Sequence, residues 1–206
     1  LGDVYKRQYL IWFLPLGGVF IWFIYHQFGK SVANGMKMVF HVGLGKNTKL
    51  PIRMVPLSVI GTWTTHLFGG SAGREGVAVQ IGAAVSNNIG RLVDKTIDIE
   101  NSRKMFLITG MAAGFSGLFC TPLAAIFFAL EVLVAGKLEY HALIPATVAS
   151  ISAAFTSRAL GLRKFHINIL ETLNYHPSTY NAVLLLKLAA MGLVFGIVGS
   201  LFALIL

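Results

Sequence analysis

Glu75 is the residue of this sequence whose chemistry most needs an explanation. It stands in the string Gly69-Gly70-Ser71-Ala72-Gly73-Arg74-Glu75-Gly76, between two apolar runs. A carboxylate at mid-bilayer is unfavourable by ~2.5 kcal/mol or more, and so calls for a partner or a function. Glycines ahead of a helix leave backbone amides free, and those amides together with the helix dipole favour an anion. A carboxylate held where an anion could also sit implies competition between the two. Protonating Glu75 would free the site, and a passing anion would displace its side chain. A plain glutamate in the first turn of a helix fits the same spacing, so both readings stand at this point.

Other reactive side chains offer less. Cys120 is the one cysteine, which excludes an internal disulfide and any multi-cysteine metal site, and it lies in an apolar run where small packed cysteines are common. His26, His41, His66, His141, His166 and His176 show no paired metal spacing, so no metal is expected. Most of them lie near span ends, while His66 falls inside a span, where a hydrogen bond across helices is expected. The string GGSAGREG lacks the Gly-Lys-Ser/Thr ending of a nucleotide loop, and no cofactor is implied.

The elements that must position Glu75 are apolar and helical. Tyr9 to Gly29 carries no Asp, Glu, Lys or Arg, a length of about 31 Å as a helix, which matches the ~30 Å hydrocarbon core. Lys30 to Arg53 reads as a basic loop with a short apolar piece. Met54 to Gly73 is uncharged, and after the glycine string Val77 to Ile89 resumes as a run too short to span alone. Broken backbone at membrane depth is tolerated only where it lines a cavity or binds something. Arg91 to Lys104 is charged and expected to be a solvated loop. Met105 to Leu130 is uncharged but contains Thr121-Pro122, which predicts two segments meeting near Pro122. Gly110, Gly114 and Gly117 permit close helix packing. Tyr140 to Ser157 reads as a span, Arg158 to Tyr180 as a polar connection, and Leu188 to Leu206 as a last span.

Composition agrees with an all-α, multi-pass membrane protein. The chain is 55% apolar and 12% charged, against ~25% charged in soluble domains, and its mean hydropathy is +0.71. A net charge of +9 raises the possibility of nucleic acid, but the basic residues lie mostly between apolar spans and form no block of five. Anionic headgroups and a positive-inside orientation account for them, so the partner expected is the lipid bilayer, not nucleic acid. Asp3 to Gln8, DVYKRQ, looks like a translated sequencing adapter, so residues 1–8 are expected to be non-native and 9–206 to be the transmembrane domain. The uncapped run Ala203 to Leu206 predicts a fragment.

Two ordered motifs carry a family resemblance. Gly73-Arg74-Glu75-Gly76-Val77, followed by Ala78-Val79-Gln80-Ile81-Gly82, resembles the gating-glutamate motif of the CLC (voltage-gated chloride channel) family, with Val77 in place of the usual proline. Ala112-Ala113-Gly114-Phe115 through Phe119-Cys120-Thr121-Pro122-Leu123-Ala124 to Leu130-Glu131 is similar to the next segment of that family. The resemblance implies the first half and the start of the second half of an inverted-repeat fold of broken, tilted helices, a homodimer when full length, and a multi-pass place in a bacterial inner membrane. It implies an anion pathway with Glu75 as gate and proton carrier. Gly73, Arg74, Gly76 and Val77 fall in the anion-binding stretch, Arg74 there in a structural role. Glu131 and Thr121 would belong to a secondary pathway.

Three departures point to one branch of the family. Val132 occupies the position of the inner proton-relay glutamate, Val77 that of the proline, and Gly35-Met36-Lys37-Met38-Val39 is the counterpart of a missing Gly-Ser-Gly-Ile-Pro string, placing Met36 where the selectivity serine would be. Together they look like the fluoride-exporting branch, which exchanges fluoride for protons. A chloride channel or chloride/proton exchanger of the same family is the alternative, and Met36 also has a packing reading. A remote alternative is an enzyme, because Gly114-Phe115-Ser116-Gly117 resembles the serine motif of rhomboid intramembrane proteases. That chemistry needs a base for the serine, and His141 lacks the expected following residues. No enzyme activity is expected.

Overall fold

A computed structural model describes residues 8–46, 49–93, 102–134, 136–162 and 182–205. A 3-10 turn, Gln8–Phe13, leads into α1 (Leu14–Phe28), followed by α2 (Gly35–Gly43), α3 (Met54–Leu67) and α4 (Arg74–Val93). Then come α5 (Ser102–Phe119), α6 (Pro122–Glu131), a 3-10 turn Tyr140–Ala142, and α7 (Leu143–Ala159). No strand occurs among the described residues. Residues 1–164 form one compact unit. In the second unit α8 (Ala182–Ile205) is a 24-residue apolar helix. Leu10–Phe28 and Leu185–Ile205 are long and apolar enough to cross a membrane.

The α4–α5 pair is the most extensive contact of the bundle, because neither helix keeps its backbone at a distance. Ala78, Gly82, Ser86 and Gly90 recur every fourth residue on α4 and meet Phe106, Gly110 and Gly114 on α5. A methyl group on Gly82 would fall on the carbonyl oxygen of Gly110, one on Gly110 would fall on that of Gly82, and one on Gly114 would fall on that of Ala78. The Ser86 hydroxyl donates to the Phe106 carbonyl at 2.6 Å. Small residues in such a seam let dispersion contacts and short polar bonds replace the hydrophobic drive that lipid removes. Beside it, Val39, Val79, Ala83, Leu107, Ile108, Met111 and Leu130 form a buried core.

Two breaks interrupt the helices, and both are closed by backbone chemistry. At the end of α3, Gly69 takes φ +79, and the amides of Gly69 and Gly70 donate to His66 and Thr65 carbonyls at 3.1 and 2.8 Å. That pairing is the Schellman motif, and it satisfies carbonyls a helix end leaves open. Between α5 and α6 the chain turns at Cys120, which adopts φ +54, and Pro122 starts α6 at a position where a missing amide is harmless. Hydroxyls fasten this break to α7: Ser150 Oγ donates to the Pro122 carbonyl at 3.0 Å, and Ser157 Oγ to that of Gly117 at 2.7 Å.

Several sequence expectations need correction. The run after the glycine string is a 20-residue helix, about 30 Å at ~1.5 Å per residue, starting at Arg74 and not at Val77. It is long enough to span, and Gly76 lies in its first turn while the break occupies residues 68–73. The charged stretch Arg91 to Lys104 is partly helical, since Arg91 lies in the last turn of α4 and Arg103 and Lys104 open α5. The remainder of that stretch lies outside the described residues, as do residues 1–7 and most of the connection after Arg158. The apolar piece of the basic loop is α2, and the last helix begins at Ala182.

Candidate functional site

Glu75 sits in the first turn of α4, one residue after a break that leaves the preceding backbone outside any helix. The first four amides of an α-helix have no partner within it, so those of Arg74, Glu75, Gly76 and Val77 point toward the break as donors. Gly73, Arg74, Glu75 and Gly76 are all exposed, and no ion pair or hydrogen bond to Glu75 is seen among the described residues. The carboxylate is therefore free to swing. What the fold supplies here is an anion-attracting helix end carrying its own anion.

The second expected piece of the site is brought close to the first. α2 begins at Gly35, whose φ of +49 is a conformation that favours glycine, and α2 packs on α4. Between them lies the side chain of Gln80. Its Nε2 is 3.4 Å from where a Cβ of Gly35 would stand and 4.0 Å from that of Gly76. Gln80 is thus the residue of α4 that stands beside Gly35. Its signal in the sequence is faint: a carboxamide in an apolar helical run, one turn after Gly76. Met36 is half-buried and packs against the core. Val77 and Ala72, with Gln80, wall one side of a cavity of about 310 Å³ whose other wall carries Tyr25, Ser58, Thr62 and Thr65.

The remaining candidates lie elsewhere. Glu131 ends α6, where its Oε1 accepts from the Gly136 amide at 3.2 Å and closes the following turn. Thr121 precedes Pro122 and makes no side-chain cap, while its carbonyl accepts from the Ala125 amide at 3.0 Å. His66 forms no cross-helix hydrogen bond at Nε2 among the described residues, contrary to expectation; that atom is buried without a partner. His26 stacks on Trp22 with ring centroids 5.0 Å apart. His166 and His176 lie outside the described residues.

The serine-protease alternative finds no support. Ser116 is fully buried and its hydroxyl donates to the Ser150 carbonyl at 2.7 Å. His141 stands beside the Lys104–Glu139 ion pair of 2.6 Å at the start of α5. Ser116 is about 18 Å further along that helix, so no base reaches it from His141.

Comparison with known proteins gives a consistent set of likenesses. The sequence profile described as "Voltage gated chloride channel" matches residues 17–206. A "Chloride/fluoride channel protein" of Pseudomonas syringae pv. tomato is 38% identical over 197 residues, covering 96% of this chain and 42% of the relative. An "H(+)/Cl(-) exchange transporter ClcA" of Citrobacter koseri is 33% identical over 157 residues, 73% of this chain and 30% of the relative. Among solved structures, a CLC-type fluoride/proton antiporter superposes with a TM-score of 0.80 at 45% identity, covering 94% of this chain and 47% of that one. The chain therefore spans less than half the length of these proteins and shares the fold of that portion.

Proposed function

The chain belongs to the voltage gated chloride channel family, and from that premise we propose that the full-length protein exchanges an inorganic anion for protons across a bacterial inner membrane, fluoride in preference to chloride. Glu75 is the titratable gate, and the anion sits against the starts of α2 and α4. The observation that carries this reading is the packing of α2 on α4 with Gln80 beside Gly35, and a carboxylate in the first turn of α4 with no ion pair or hydrogen bond seen among the described residues. On this reading the protein works as a transporter, and moving an anion and a proton through such a junction calls for no covalent step. A homodimer with one pathway per subunit belongs to the same reading.

Anion flux from the full-length protein in liposomes, with and without a pH gradient, tests it. Fluoride flux is expected to exceed chloride flux and to drive proton movement. The preference rests on Met36, Val77 and Val132, and on the 45% identity to a fluoride/proton antiporter. Equal or faster chloride flux in the same vesicles would return the protein to chloride exchange, which backbone amides serve as well and which the Citrobacter relative's name describes.

Orientation follows from charge. Lys46, Lys49 and Arg53 flank Leu50, whose carbonyl accepts from Asn88 on the C-terminal half of α4 at 2.8 Å. Arg91 lies in the last turn of α4, Arg103 and Lys104 open α5, and Lys137 follows α6, so these seven cations lie at one end of the bundle. Arg74 and Arg158 lie at the other end, while Lys30 precedes α2 and Lys37 lies in its first turn. The positive-inside rule puts the basic end in the cytoplasm and Glu75 toward the periplasm. In a Cys120→Ala background, a membrane-impermeant maleimide added outside is expected to label Ser71→Cys and spare Lys46→Cys. The reverse pattern would invert the topology.

A further inference from the structure

We propose that Gln80 is an anion-contacting residue that sets selectivity, supplying a movable hydrogen-bond donor between the starts of α2 and α4; this rests on the reading of that junction as the anion site. Its Nε2 reaches the space that a side chain at Gly35 would occupy, 3.4 Å away, and lies 4.0 Å from the corresponding point at Gly76. Glycine at both positions keeps that space open. No hydrogen bond from the Gln80 amide is seen among the described residues, so its two N–H groups are available.

Gln80 also lines a cavity that is mostly apolar but carries hydroxyl groups. Ser58, Thr62 and Thr65 fall four and three residues apart along one face of α3 and, with Tyr25, wall the 310 Å³ cavity that Gln80 lines. Thr65 Oγ1 donates to the Gly61 carbonyl at 2.8 Å, which leaves its oxygen able to accept from a carboxamide or water. With no partner seen among the described residues, the Gln80 donors can turn to an anion that arrives. An ion that sheds its water needs replacement donors, and fluoride is the stronger hydrogen-bond acceptor, so it gains more from an amide than chloride does. The carboxamide adds those donors without a fixed positive charge. Binding then stays weak enough for the ion to leave, as conduction requires.

The experiment uses the full-length protein, with fluoride and chloride as probes in binding calorimetry and in paired liposome fluxes. Gln80→Leu keeps the volume and removes the donors. It is expected to weaken fluoride binding roughly tenfold or more, the scale of one hydrogen bond to a charged group, and to lower the fluoride-to-chloride ratio. Proton coupling of the remaining flux should persist, because Glu75 is untouched. Wild-type fluoride affinity and an unchanged ratio in Gln80→Leu would overturn the assignment. Should that variant fail to elute as folded protein, Gln80→Asn, whose amide stops one methylene short, is expected to show an intermediate loss; no loss there overturns it equally. A wild-type protein that moves neither anion removes the functional reading and this inference together, whereas a working antiporter indifferent to Gln80 removes only the inference.

Discussion

Glu75→Gln in the full-length protein is expected to abolish anion-driven proton uptake while leaving the protein folded. Glutamine has nearly the shape of glutamate but exchanges no proton, so a gate that works by titration stops and one that works by shape continues. The position favours a clean result, because Glu75 is exposed and no ion pair to it is seen among the described residues, leaving little structure to lose. Proton uptake followed by a pH electrode, after fluoride is added to liposomes, is the measurement. Uptake at the wild-type rate would end the assignment of Glu75 as proton carrier. Glu131→Gln is the companion control. Its Oε1 only closes the turn to Gly136, and a glutamine oxygen accepts the same bond, so coupling should remain.

The largest effect on stability is expected at the α4–α5 seam. In Gly82→Ala the new methyl meets the Gly110 carbonyl oxygen and lies 3.1 Å from the Gly114 Cα, all backbone with no flexible side chain to give way. Overpacking commonly costs 1–3 kcal/mol, and here two helices must separate, so a loss of about 3 kcal/mol or more is expected. Gly117→Ala is the contrast. Its methyl would come no nearer than 3.8 Å to Ala153 Cβ, an ordinary contact, and alanine is better than glycine in a helix by about 1 kcal/mol. Thermal unfolding in detergent, read by size-exclusion elution, should move in opposite directions for the two variants. Equal midpoints would refute the tight seam.

Much of this was legible because glycine and proline punctuate the chain. Gly69 and Gly70 mark the end of α3, and Pro122 marks the start of α6, since each residue has a backbone preference that acts locally. The start of α4 was harder to read. Gly76 looks like part of the break, yet a single helical glycine is a modest penalty that packing elsewhere on α4 overrides. The charged residues after Val93 hid the beginning of α5 for a similar reason: Arg103 and Lys104 are compatible with a helix end facing water. The placement of Gln80 beside Gly35 left only a faint trace in the sequence. It depends on α2 and α4 meeting at one register, which no local pattern encodes. The bond that Glu131 accepts from the Gly136 amide was hidden in the same way, because it lies in a turn whose geometry the residue types leave open.

The backbone-to-backbone seam also bears on time. Helices separated by long side chains can slide or rotate as those chains change rotamer, and collective motions of that kind take microseconds to milliseconds. α4 has no such padding against α5, since Gly82, Gly110 and Gly114 leave carbonyls where side chains would be. Sliding would drive main chain into main chain. α4 therefore behaves as a fixed post, and the movable part at its tip is reduced to the Glu75 side chain. Rotation of an exposed side chain takes picoseconds to nanoseconds. On the proposed reading of Glu75 as gate, its swing is then too quick to set a turnover rate, which would fall instead to the arrival and release of protons and anions.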